Sequence, residues 1–158
     1  IRDRAAEGAL IARQKADVGI KAPMIGPDGL HDVKDFIEGG GESTEGQFVT
    51  FSREPAGQKY KEWKTKFEQK YKYMGPFDAH AYDAAWVLMT AIEKVAKLES
   101  DGSLKIGKKA LADEIRKISY DGVTGKISFD KKGDRIGVEV VVKKVSGRKF
   151  VEVWPKWK

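Results

Sequence analysis

The chain has 158 residues, with 30 Lys and Arg against 24 Asp and Glu, for a formal net charge of +6. Hydrophobic residues at 41%, charged residues at 34% and a mean hydropathy of −0.51 exclude a disordered chain, and no apolar run reaches the roughly 20 residues of a membrane-spanning helix. The length suits one domain with a substantial core. The apolar stretch 84–95 is broken by Glu93 and Lys94. The absence of cysteine excludes a disulfide scaffold, a thiolate metal site and a cysteine nucleophile, but leaves the compartment open. Ile1-Arg2-Asp3-Arg4 lacks the charged and apolar regions of a signal peptide, so any targeting segment is expected to have been removed or to lie outside this sequence.

In chain order, residues 5–16 carry Ala6, Ala9, Leu10 and Arg13 at helical spacing, and Gly19 is positioned as the C-terminal cap. Residues 20–29 read as a very short apolar strand running into a Gly-Pro-Asp-Gly loop at its carboxyl end. A short helix is predicted over 33–38, stopped by Gly39-Gly40-Gly41, and a strand over 46–51. Over 59–73 the aromatics Tyr60, Trp63, Phe67 and Tyr71 share one helix face, with six lysines and two glutamates elsewhere between Lys59 and Lys72. Gly75-Pro76 ends that helix. The most apolar helix follows over 81–97, with Trp86, Met89 and Val95 as inward candidates. A further helix over 108–118 carries Leu111, Ile115 and Ile118. Strands are predicted over 125–129, 136–145 and 149–153, the last two joined by the turn Ser146-Gly147. Alternating helices and strands point to an α/β layered architecture with a parallel sheet and a closing antiparallel hairpin. The strands are few for the apolar helix faces they would have to cover.

Few motifs carry chemistry. The basic, aromatic stretch 59–73 could pair phosphates and stack bases, but aromatics at helix spacing are better explained as a core face, and six net charges are ordinary for a soluble domain. His31 and His80 are far apart and form no metal-binding pair. Asp130-Lys131-Lys132-Gly133-Asp134 resembles part of a calcium loop, yet a turn explains it more simply. The glycine triplet is neither a dinucleotide fingerprint nor a P-loop, and no Gly-x-Ser-x-Gly is present. Nothing indicates an enzyme, and no metal or cofactor is expected. Asp28 alone calls for a functional account. A carboxylate outside the carboxyl end of a strand suits a ligand, and Pro27-Asp28-Gly29 also suits a plain turn, the reading these residues favour by themselves.

Four segments follow one another along the chain: GALIARQKADVGIKAPMIGPDG (8–29), EGQFVTF (45–51), AYDAAWVLMTAIEKV (81–95) and DGVTGKISFDKKGD (121–134), with the closing strands 138–145 and 150–154 after them. In that order they resemble the type I periplasmic binding proteins, specifically the leucine/isoleucine/valine-binding family of ABC-transport receptors. The resemblance covers nearly the whole chain but only the family's C-terminal half. It implies three-layer αβα lobes in a two-lobe hinge architecture joined by crossing strands. By that resemblance 1–51 belongs to the second lobe, 52–134 to the first, and 135–158 returns to the second as its C-terminal β-hairpin. The first lobe's own sheet and the leading strand of the second are then expected to precede Ile1.

The same resemblance implies two ligand positions. Asp28 stands where the family's loop presents an acidic residue, usually Glu, to a ligand ammonium group, and this reverses the preference for a plain turn. Phe77, ahead of Tyr82-Asp83-Ala84, stands where an aromatic lines the side-chain pocket; as a residue after Gly-Pro it also suits a helix entrance. The groups that grip a ligand carboxylate are expected before Ile1, and Arg4 stands where a second-lobe aromatic is sought. The implied function is a periplasmic, or extracellular and membrane-tethered, receptor. It would bind an amino acid of branched-chain type or a related small amide by hinge closure, and would present it to an ABC transporter permease in the inner membrane. A sensory ligand-binding domain of the same fold and a basic nucleic-acid-binding module are the alternatives.

Overall fold

The structure is a computed structural model and describes residues 4–155. Its elements run α1 (Arg4–Asp17), β1 (Ile25–Gly26), β2 (Phe48–Ser52), α2 (Gln58–Tyr71), α3 (Asp78–Val95), β3 (Lys97–Leu98), β4 (Leu104–Lys105), α4 (Lys108–Lys117), β5 (Tyr120–Gly122), β6 (Gly125–Ile127), β7 (Val140–Ser146) and β8 (Lys149–Trp154). Short helical turns lie between β1 and β2. The chain forms two compact units: the residues up to Arg53 together with those from Val138 on, and Glu54–Gly137.

The first unit is built on a four-stranded sheet in the order β1-β2-β7-β8. β1 and β2 are parallel and the remaining pairs antiparallel, so the expected parallel sheet with a closing hairpin is one mixed sheet. Phe48 pairs with Lys144 and Phe51 with Val141. This register aims Val49, Val141 and Val145 into the core with Phe36 and Ile37. α1 packs here through small residues, Ala5, Gly8, Ala9 and Ala12, which let its backbone approach the turns opposite. It ends in a Schellman motif: Gly19 at φ 75° donates to Ala16 O, and Ile20 N donates to Lys15 O, both at 3.0 Å. The hairpin turn lies one residue later than expected, at Gly147-Arg148. Both residues have φ near +60°, the left-handed pair that a two-residue loop between twisted strands requires.

Gly39-Gly40-Gly41 does not stop the helix over Val33–Glu38. Gly39 is itself helical, and the chain continues in helical turns to Thr44. Space explains Gly40: a Cβ there would lie 2.4 Å from Thr44 Cγ2 and 3.4 Å from Ala9 Cα.

In the second unit the aromatics of α2 form a ladder. Trp63 and Phe67 lie 4.8 Å apart, Phe67 and Tyr71 4.7 Å, and Trp63 reaches Tyr82 of α3 at 5.3 Å. Tyr60 is buried with Ala79 and Val123, whereas Tyr71 is exposed. A second cluster joins Val87 and Ala91 of α3 to Ile118 and Ile127. The inward stripe of α3 is Ala79, Asp83, Val87 and Ala91. Trp86 and Met89, expected inside, are 43% and 45% exposed, and Val95 is half-buried. From Ala79 to Ile92 the only carboxylate is Asp83, so apolar spacing cannot distinguish one side of this helix from another. β3 and β4 form a small ribbon that no period in the sequence marks, and β5 pairs with β6 in another.

Candidate functional site: the Gly-Pro-Asp-Gly loop and its supports

Asp28 begins a short helical turn immediately after β1. The loop is closed by backbone bonds from Leu30 N to Pro27 O at 3.0 Å and from His31 N to Asp28 O at 2.9 Å. Asp28 Oδ1 accepts from Gly29 N at 2.9 Å, which orients the carboxylate and leaves most of its acceptor capacity for another donor. The residue is exposed, and no cationic side chain among the described residues forms an ion pair with it.

Leu30 holds this loop down. It is buried, and its methyl groups fill a slot that two glycines leave open: a Cβ on Gly26 would lie 2.1 Å from Leu30 Cδ1 and 3.0 Å from its Cγ, and one on Gly8 would lie 2.4 Å from Cδ2. A Cβ on Gly29 would meet the stem of Arg4 at 2.9 Å. β1 is fixed in turn by Gln47, which is buried between strand and turn. Its Oε1 accepts from Met24 N at 2.5 Å and its Nε2 donates to Ser43 O at 3.1 Å.

Next to the loop lies a cluster that sequence reasoning missed. His31 is stacked between Phe51, with centroids 4.0 Å apart, and Phe150, at 4.3 Å. The buried Lys143 places Nζ 3.1 Å from His31 Nε2 and 5.3 Å from the Phe51 ring. The alternation of β7 hints at Lys143, because it falls in phase with Val141 and Val145.

Where the chain leaves and re-enters this unit, Arg53 binds the two points together. Its backbone N donates to Glu139 O at 2.8 Å, and its guanidinium pairs with Glu139 and grips Glu152 through Nη2 at 2.8 Å and Nε at 3.4 Å.

Phe77 belongs to the second unit, at the N-cap of α3, and is 43% exposed. Further along α3, the buried Asp83 accepts from Val123 N (2.8 Å), Thr124 N (2.8 Å) and Thr124 Oγ1 (2.6 Å). Arg135 extends this network, donating to Thr124 Oγ1 at 2.9 Å and Thr124 O at 3.0 Å. The 130–134 segment is a turn, with Asp130 Oδ1 accepting from Lys132 N and Asp134 N at 2.8 and 2.9 Å. No cluster able to hold a metal occurs among the described residues, and no helix among them is long and apolar enough to cross a membrane.

Residues 27–148 match the family described as the receptor family ligand binding region. The chain is 28% identical over 133 residues to a leucine-, isoleucine-, valine-, threonine- and alanine-binding protein of Pseudomonas aeruginosa, covering 81% of this chain and 32% of that one. Its fold matches a leucine binding protein of Thermotoga maritima with a TM-score of 0.72 and 32% identity, covering 93% of this chain and 41% of the other. It also matches an ABC transporter substrate-binding protein of Desulfitobacterium hafniense in complex with Leu, with a TM-score of 0.62 and 25% identity over 92% and 40% of the two chains. The chain thus spans about a third to two-fifths of the length of these relatives, which are solute-binding proteins and not enzymes. It belongs to the receptor family ligand binding region, with its likeness lying among the periplasmic binding proteins for branched-chain amino acids.

Proposed function

We propose that the chain is the C-terminal half of an extracytoplasmic solute receptor that binds an amino acid, or a small amide, and presents it to an ABC transporter permease. In this reading the first unit is part of the second lobe and Glu54–Gly137 is part of the first. The ligand would be held between the lobes and would shift the population toward a closed form that the permease recognises. The observation that carries the proposal is the carboxylate of Asp28, exposed at the carboxyl end of β1 on a loop held down by the buried Leu30. An ammonium or amide N–H is its natural complement. Phe77 would supply apolar wall for the ligand side chain. Asp28 is one methylene shorter than the Glu usual in the family, which favours a deeper site or an amide ligand.

Thermal unfolding of the full-length receptor against a panel of amino acids and their amides tests this reading. A binder at about 100 times its Kd adds about 2.7 kcal/mol of stability, a rise in Tm of several degrees. A panel in which no amino acid or amide raises the Tm overturns it.

A further inference from the structure

Three aspartates of the chain are followed directly by glycine, Asp28, Asp101 and Asp121, and the chain has no asparagine. Asp-Gly is the aspartyl pair most open to spontaneous rearrangement, because a residue without a Cβ leaves its amide nitrogen free to approach the preceding carboxyl carbon. All three aspartates are exposed, so access to water does not separate them. Asp121 lies in β5, where it pairs with Lys126 and Gly122 pairs with Gly125. Its Oδ2 is 3.1 Å from Lys59 Nζ, and Gly122 is packed against the Asp83 carboxylate with no room for a Cβ. Ring closure has to swing the following amide toward the carboxyl carbon, and a paired strand held on a buried acid does not turn that way. Asp101 is held differently. Its Oδ1 accepts from Ser103 N at 2.9 Å, while Gly102 N donates to Glu99 O at 3.0 Å. Carboxyl and amide therefore have separate partners there. Hydrogen bonds from the Ser103 side chain and backbone also lower Asp101 below its ordinary value, so that the reactive acid form is scarcer.

At Asp28 the two reacting groups are partners of each other. Gly29 N donates to Asp28 Oδ1 at 2.9 Å, and no cationic side chain among the described residues forms an ion pair with the carboxylate. The helical turn that carries both is three residues long. The atoms nearest to where a Gly29 Cβ would lie are those of the stem of Arg4, an exposed side chain. A short turn beside a flexible stem opens more readily than a strand paired along its length.

We infer that Asp28-Gly29 is the chain's site of spontaneous isoaspartate formation, and that this modification removes its ligand contact. Gly29 N bonds to Cγ of the protonated Asp28 carboxyl. The amide proton and the carboxyl hydroxyl leave together as water, which gives a five-membered imide. Water then opens either imide carbonyl, restoring aspartate or producing isoaspartate, in which the main chain runs through Cγ. The water released in the first step balances the water consumed in the second. Isoaspartate adds a methylene to the main chain between Pro27 and Gly29 and shortens the stem of the free carboxylate by the same amount. The loss of ligand contact rests on the proposed role of Asp28; the rearrangement itself does not.

The full-length receptor is aged in buffer and in urea and digested with trypsin, which places the three pairs on separate peptides, 22–34, 98–105 and 118–126. Isoaspartate leaves the mass unchanged and is read by chromatographic retention and by methylation with an isoaspartyl methyltransferase. In buffer the Asp28 peptide should accumulate isoaspartate at least about tenfold faster than either other peptide, a separation well within what misplacement of reacting groups produces. In urea the three should convert at similar rates. An Asp28 peptide no faster than the others in buffer overturns the inference. So does the same ranking in urea, since neighbouring residues and not the fold would then select the site. Fresh and aged receptor are also compared by thermal shift against a panel of amino acids and their amides. Stabilisation should fall in proportion to isoaspartate at position 28, and should not fall on ageing of an Asp28→Glu receptor, whose longer side chain does not close the five-membered ring. Isoaspartate at 28 with stabilisation unchanged overturns the loss of ligand contact. If no panel member stabilises the fresh receptor, the proposed function is contradicted and the modification site stands.

Discussion

The carboxylate of Asp83 occupies the space that a side chain on Gly122 would need: a Cβ there would lie 2.4 to 2.6 Å from all three carboxyl atoms. Glycine at 122 is therefore part of the Asp83 binding pocket. It lets the backbone after β5 come close enough for Val123 N and Thr124 N to reach the buried acid. Gly122→Ala should destabilise the second unit by about 1–3 kcal/mol, the usual scale for overpacking a filled site. Asp83→Ala should cost about as much or more, since it leaves the buried Val123 N–H and the partly buried Thr124 N–H without their acceptor. Asp121→Asn removes an exposed ion pair with Lys59 and should change stability by less than about 1 kcal/mol. Urea unfolding followed by circular dichroism ranks the three, and an Asp121 variant as damaging as the Asp83 variant would contradict this account.

With Asp28 as the proposed ligand contact, the slot around Leu30 is expected to couple stability to ligand affinity. Gly26→Ala forces Leu30 out of its place, with an expected cost of about 1–3 kcal/mol, and tilts the loop that carries Asp28. Gly57→Ala, where a Cβ meets nothing within 4 Å, should leave both stability and affinity near wild type. Differential scanning calorimetry with and without ligand checks both quantities. Loss of stability with unchanged affinity would show that Asp28 is positioned by something else.

His80 titrates below its ordinary value of 6.5, chiefly because burial disfavours the charged form and then because Arg135 is close; Asp83 acts in the opposite direction. The fold therefore prefers neutral His80. Its contribution is complete above pH 6.5 and is lost as the pH falls below that value, where the unfolded chain takes up the proton first. Asp113 and Glu114, lowered by hydrogen bonds from Lys109 and Lys94, act only near and below the carboxylate range. Between about pH 6.5 and 5, wild type should lose stability relative to His80→Gln. Parallel curves for the two proteins would remove His80 as the cause.

Arg53 holds Glu139 and Glu152 with a planar fork that a lysine does not reproduce. The group is partly exposed, so Arg53→Lys should leave global stability near wild type. It should still speed hydrogen exchange at the Arg53 end of β2 and the Glu139 end of β7. Unchanged exchange there would mean that backbone pairing alone holds the two crossings together.

How much of this the sequence revealed depends on contrast between neighbouring residues. The aromatic row of α2 stands out against its lysines, and Gly19 is the first glycine after the helix, so both were legible; the stripe Ala6, Ala9, Leu10 and Arg13 was not the inward one, because α1 packs through Ala5, Gly8, Ala9 and Ala12 and leaves Leu10 exposed. The inward side of α3 was not, because Trp86 and Val87 look alike to any hydropathy period and only tertiary contact separates them. Gly40 reads as a stop until Ala9 and Thr44 are seen against it. The contact of Asp83 with Gly122, and that of His31 with Lys143, join positions far apart in the chain and leave no local spacing to detect. Asp28 was legible as a turn from its neighbours, and its proposal as a ligand contact rests only on resemblance to a family.

The central claim rests on that carboxylate, and calorimetric titration of the full-length receptor with the best ligand from the amino-acid and amide panel tests it most directly. Asp28→Ala should weaken binding by at least about 2 kcal/mol, roughly thirtyfold in Kd, the scale for removing one partner of a charge-assisted pair in a closed site. An Asp28→Ala receptor that binds with the wild-type Kd would contradict the account.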